Sequence, residues 1–151
     1  MSEFLDASHV FLDNPATNVD EALEFISEKA VELGIADDKQ ATLDAFKARE
    51  SEGTTGMMEG FAIPHAKSAS IKKSGVIVVK FAGDVAWETM DKKPIKVAIA
   101  LLVPDGDAPA THLQMLSKVA VMLMDPPFRA ATIDDNDAAS ISDRINAGLG
   151  K

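Results

Sequence analysis

Gly75-Val76-Ile77-Val78-Val79-Lys80-Phe81 is a nearly continuous β-branched run. A strand with one wet face alternates apolar with polar residues, so this run predicts a central strand covered on both faces. Ile95 to Val103 has the same character and is read as a second central strand. Two such strands require helices on both sides of a sheet. The chain offers them before and after. Asn18 caps a helix with Glu21 in the capping-box position, and Ala22, Leu23, Ile26, Ala30 and Leu33 share one face before Gly34 stops it. Asp37 with Gln40 signals a second cap, and Leu43 and Phe46 mark a helix ending near Arg49. After the second strand, Leu113, Leu116, Ala120 and Leu123 form a stripe over Ala110 to Met124, which Asp125-Pro126-Pro127 ends. Phe128 to Ile133 adds one or two turns, and Ile141 and Ile145 suggest a last helix frayed by Gly148 and Gly150. Ser8 to Asp13 and Phe61-Ala62-Ile63 complete the set as short strands. The expected fold is α+β, a three-layer α/β/α sandwich with a mixed sheet of about four to five strands. Residues 1–151 are expected to form one domain, with no internal repeat or linker.

Composition narrows the function. The net charge of −9 repels nucleic-acid phosphates, and the close basic pairs Lys72-Lys73 and Lys92-Lys93 are too small to reverse this. It suits a basic protein partner instead. There is no cysteine, hence no thiolate nucleophile and no thiolate metal site. No apolar run approaches the ~20 residues that span a membrane, and Met1-Ser2-Glu3-Phe4 is unlike a secretory leader. A cytoplasmic location without membrane insertion is therefore expected.

The chemistry concentrates between Arg49 and Lys67. Of the three histidines, His9 sits in an early strand and calls for no chemistry. His65 follows Pro64 at the end of a strand fragment, where functional side chains gather. His112 opens the helix after the loop from Asp105 to Pro109. If both strand ends point the same way, the two imidazoles can meet around one phosphate or one metal. The metal reading would add a carboxylate such as Asp105 or Asp107. Arg49, beside Glu50, offers a guanidinium fork to an oxyanion, or is a solvated pair at a helix end. Thr54, Thr55 and Gly56 can present hydroxyls and backbone N–H groups to the same anion, or form a plain flexible loop. No Walker loop, His-Glu-x-x-His, EF-hand or Gly-x-Ser-x-Gly pattern occurs. Trp87 and the methionines Met115, Met122 and Met124 are expected in the core.

At Gly60-Phe61-Ala62-Ile63-Pro64-His65-Ala66-Lys67 the sequence resembles the IIA domains of the fructose–mannitol family of the phosphoenolpyruvate-dependent sugar phosphotransferase system. The resemblance extends over nearly the whole chain, through Arg49-Glu50, Thr55-Gly56, Trp87, Pro94, Val103-Pro104, His112-Leu113 and Leu123-Met124-Asp125 to Phe128-Arg129. Met58 stands where the family usually has glycine, and Phe61 where it has an aliphatic residue. The resemblance implies that His65 accepts a phosphoryl group from the histidine carrier HPr. A cysteine of a IIB domain would take it next, and a membrane IIC would be served indirectly. It also implies that Arg49 and His112 support the phosphate, and that no cofactor is needed. Ala66-Lys67-Ser68 with Lys72-Lys73 is nearer to the fructose branch than to the nitrogen-regulatory one. A regulatory IIA that acts by binding target proteins is the alternative. For either role His65 must present an unprotonated ring nitrogen, with a carbonyl on the other N–H fixing the tautomer. A shallow site rimmed by Phe61 and by Met57 or Met58 would dock partners.

Overall fold

The structure is a computed structural model that describes residues 5–106 and 109–149, with the side chains of residues 109–112 outside the description. A short 3-10 turn, Ala7–His9, leads into β1 (Val10–Asn14). Then come α1 (Val19–Glu32), α2 (Lys39–Glu52), β2 (Phe61–Ala62), β3 (His65–Ser68), β4 (Gly75–Val85) and β5 (Ile95–Pro104). The chain closes with α3 (Pro109–Leu123), α4 (Pro126–Asp134) and α5 (Ala138–Leu149).

The two runs read as central strands are β4 and β5, paired antiparallel from Gly75 against Leu102 to Lys80 against Val97. β1 lies parallel to β4 on one side, and β2 and β3 lie parallel to β5 on the other. β2 and β3 occupy the same side of β5 in succession, Phe61 beside Val97 and His65 beside Leu101. The result is the expected mixed five-stranded sheet between helical layers. Side chains alternate between its faces. Ala62, Ala66, Ala98 and Ala100 face α1 and α2, together with Ile77, Val79 and Leu102. Phe61, Ile63, Val97, Ile99, Leu101 and Val103 face α3, α4 and α5. The small residues on the first face let α2 pack close to the sheet edge that carries His65.

Local rules explain most boundaries. Asn18 Oδ1 accepts the Glu21 N–H at 2.9 Å, and the Glu21 carboxylate reaches back to the Thr17 N–H at 2.8 Å, one residue earlier than in a standard capping box. The second helix is capped by Asp38, which accepts from Ala41 N–H at 3.1 Å, and not by Asp37. Tertiary contacts decide between the two aspartates, because the Asp37 N–H donates to Ser70 O and its carboxylate pairs with Lys72. α2 continues to Glu52, so Arg49 and Glu50 belong to its last turn and do not lie beyond it. Ser8 and His9 belong to the 3-10 turn and not to the first strand. Leu113 and Met124, expected in the core, are exposed, whereas Met115, Met122 and Trp87 are buried as expected. Gly148 lies within α5, and a side-chain carbon there would stand 2.3 Å from Met122 Sδ; it is a close-packing glycine.

Lys80 is the polar interruption of the β4 run, and it is buried. Its ammonium donates to the carbonyls of Ile133, at 2.7 Å, and of Asp135, where α4 ends. A cation at a helix C-terminus satisfies carbonyls that the helix leaves open. Burial pushes the Lys80 pKa below its ordinary value. Asp135 then ties α4 to α5. Its carboxylate is held by the Ser140 hydroxyl, the Asp137 N–H and the Arg144 guanidinium, which bring its pKa down to about 2. A carboxylate with a depressed folded-state pKa stabilises fully above its unfolded value of about 4, and that contribution disappears as pH falls through the folded value. Thermal melts between about pH 4 and pH 2 should therefore show a loss of stability that Asp135→Asn reduces. Equal pH dependence in the variant would contradict this assignment.

Candidate functional site

His65 is the first residue of β3 rather than a loop residue, and only 7% of its surface is exposed. The preceding Pro64 does not break the pairing, because the edge strand needs only its carbonyl: Pro64 O accepts the Leu101 N–H at 2.9 Å. His65 lies beside Leu101, a residue of the α3–α5 core, so strand alternation turns the imidazole toward the layer that α3 opens.

Two hydrogen bonds set the chemistry of the ring. Arg49 Nε–H donates to His65 Nε2 at 2.8 Å, and His65 Nδ1 stands 2.8 Å from Ile63 O. A guanidinium has no acceptor, so Nε2 must contribute its lone pair. The proton then sits on Nδ1 and is donated to the Ile63 carbonyl. The imidazole is neutral, in one tautomer, with its nucleophilic nitrogen aimed at a permanent cation. Arg49 also donates through Nη1 to Gly53 O at 2.7 Å, where α2 ends.

Glu50 works on the other side of the same turn. Its carboxylate accepts the Thr55 N–H, at 3.2 Å to Oε2, and the Thr55 hydroxyl. Thr55 O in turn accepts the Ile63 N–H at 3.0 Å. The Gly56 N–H donates to Thr54 Oγ1 at 3.0 Å, and the Thr54 hydroxyl donates to Glu88 O at 2.7 Å. The Thr55 and Gly56 N–H groups and the Thr54 and Thr55 hydroxyls are thus engaged within the loop and its neighbours. Gly56 is required by space: a Cβ there would lie 2.2 Å from Glu88 O and 3.0 Å from Trp87 Cδ1. Beyond it, Met57 N–H and Phe61 N–H donate to Phe61 O and Met58 O across a tight turn whose central residues, Glu59 and Gly60, have φ of 56° and 87°. Positive φ at both central positions is the hairpin pattern. It falls on Glu59 and Gly60, so methionine at position 58 needs no special conformation.

Phe61 is not a rim residue. It is fully buried and packs on Phe128, with ring centroids 6.5 Å apart. Met57 and Met58 are half-buried, and Met90, whose N–H donates to Met57 O, is exposed. His112 falls in the first turn of α3, and its side chain lies outside the described residues, as does Asp107. Asp105 is exposed after β5. Among the described residues no three His, Cys, Asp or Glu groups gather to hold a metal. His9 Nδ1–H donates to Val76 O at 2.9 Å and takes no part in the site. Sequence reasoning missed Glu50; its signal was an acidic residue in the last turn of a helix, five positions before a threonine.

The mixed sheet between two helical layers thus carries, on its edge, a histidine held by an arginine and a carbonyl. The chain belongs to the family "Phosphoenolpyruvate-dependent sugar phosphotransferase system, EIIA 2", which it matches over residues 3–148. It is 34% identical over 134 residues to a fructose-specific EIIA component of Haloferax volcanii, covering 89% of this chain and 86% of that one. Its fold is similar to that of the nitrogen regulatory protein IIA-Ntr of Neisseria meningitidis, with 26% identity, TM-score 0.87 and coverage of 94% and 96%. It is also similar in fold to a chain of the Escherichia coli complex of enzyme IIAMTL with phosphorylated enzyme IIBMTL, with 19% identity, TM-score 0.76 and coverage of 97% and 96%.

Gly56→Ala should destabilise the fold by about 1–3 kcal/mol, since the new methyl group meets backbone. It should also shift the emission of Trp87, the single tryptophan. An unchanged melt and spectrum would show that the loop has room to yield.

Proposed function

We propose that the chain is a phosphohistidine carrier: His65 accepts a phosphoryl group from phospho-HPr and passes it to a cysteine of a IIB protein. The observation that supports this most directly is the hydrogen bond from Arg49 Nε to His65 Nε2. The Nε2 lone pair attacks phosphorus of the donor's phosphohistidine. A new N–P bond forms, the donor's N–P bond breaks, and its imidazole leaves with the electron pair. Nε2 can then no longer accept from Arg49, whose N–H turns to a phosphoryl oxygen at the same place. Charge spreads over the equatorial oxygens in such a transfer, so a fixed guanidinium stabilises the transition state. The Ile63 carbonyl keeps the proton on Nδ1 and neutralises part of the charge that builds on the ring. In the second transfer a thiolate attacks phosphorus, an S–P bond forms, and Nε2 recovers its lone pair.

His112, in the first turn of α3, is proposed as a second donor to the phosphate. Exposed Met90 and Leu113 provide apolar surface for docking. The IIB partner is supported by the similarity in fold to the IIAMTL chain solved with phosphorylated IIBMTL. A cytoplasmic, single-domain protein is the setting that this chemistry needs; among the described residues no helix is long and apolar enough to cross a membrane. A second reading, a regulatory IIA that binds targets according to its phosphorylation, is favoured by the higher TM-score of 0.87 to the nitrogen regulatory structure.

Incubation with phosphoenolpyruvate, enzyme I and HPr should give an acid-labile phosphate, visible by mass. His65→Ala should abolish it; label persisting on another residue would sink the assignment. Arg49→Lys, which loses the planar fork, should slow acceptance about a hundredfold. His112→Ala should still accept phosphate but transfer it more slowly. Delivery of the label to a IIB cysteine separates the transport reading from the regulatory one, in which no IIB takes it.

A further inference from the structure

We propose that Glu50 is a positioning residue for the phosphoryl acceptor, acting on His65 through Thr55 and Ile63. This rests on the reading of His65 as the acceptor. The connection is continuous: the Glu50 carboxylate holds the Thr55 N–H and hydroxyl, Thr55 O holds the Ile63 N–H at 3.0 Å, and Ile63 O faces His65 Nδ1 at 2.8 Å. Every intermediate residue is buried, Thr55 at 3% exposure and Ile63 at 1%. Movement of the carboxylate is therefore passed to the carbonyl that, together with Arg49, holds the tautomer.

The placement of Glu50 argues for a task. It stands in the last turn of α2, where the helix dipole disfavours negative charge. The ion pairs among the described residues do not include it. A helix end designed only for stability would carry a cation there. Two donors from Thr55 compensate the carboxylate instead, and they belong to the loop that enters the site. Arg49 and Glu50 thus act from adjacent positions of one turn. Arg49 fixes the imidazole at Nε2, and Glu50 fixes the backbone that holds Nδ1.

The test compares Glu50→Gln and Thr55→Val with the unaltered chain. Imidazole ¹⁵N spectra of the unphosphorylated protein should show His65 in the Nδ1–H tautomer, and a mixture of tautomers in both variants. Single-turnover acceptance at saturating phospho-HPr should fall about ten- to a hundredfold, with the half-saturating donor concentration unchanged. Thr55→Ser, which keeps the hydroxyl, should retain the tautomer of the unaltered chain. If Glu50→Gln does not fold, Thr55→Val decides alone, since it removes only the hydroxyl. Folded variants in which either the tautomer or the saturating rate is unchanged overturn the proposal, while labelling of the unaltered chain leaves the carrier function standing. A changed tautomer in variants of a chain that takes no phosphate would do the reverse for the function, and would keep Glu50 as the group that sets the ring.

Discussion

Strand β5 is the constraint on which everything else is hung. Each residue from Val97 to Val103 is fully buried, and the strand is paired on both edges. Unpaired backbone groups at that depth would be costly, so β4, β2 and β3 must lie beside it in one register. That register puts His65 next to Leu101. The alternation of alanines on one face with larger aliphatics on the other then gives each helical layer its distance from the sheet. α2 comes near because Ala62, Ala66, Ala98 and Ala100 leave room for it.

Proximity of α2 is what makes the site. A helix presents successive residues about 100° apart, so Arg49 and Glu50 leave the same turn in different directions. One meets the imidazole and the other meets the loop that precedes it. The histidine is held by groups of unlike kind: a donor that can never become an acceptor, and a carbonyl that can never become a donor. This excludes the opposite tautomer.

Much of this was legible in the residues. The β-branched runs of β4 and β5 announced burial on both faces, and Asn18 with Glu21 announced the start of α1. The resemblance around Ala62-Ile63-Pro64-His65 singled out the histidine that Arg49 and the Ile63 carbonyl hold. What failed to show had physical reasons. Asp37 and Asp38 are equally able to cap, and Lys72 and Ser70, distant in sequence, decide between them. Pro64 suggested a loop, but a parallel edge strand can use a proline through its carbonyl alone. Phe61 looked available for docking because the face of a two-residue strand depends on a neighbour that periodicity does not reveal. Glu50 was read as a solvated charge because its partner, Thr55, lies beyond the helix end.

The seating of α2 has a consequence for how the family's chains can differ in length. The helix is anchored at one end by the Asp38 cap and ends, at the other, in the Arg49 contact with His65. A single residue inserted between them would turn the guanidinium by about 100° and displace it by about 1.5 Å along the axis. Growth or shrinkage is therefore excluded from this stretch, while turns outside the span from Asp38 to His65, such as the exposed tip of the β4–β5 connection, can absorb it. Insertions and deletions along the chain should trace the outline of the site as faithfully as the residues within it.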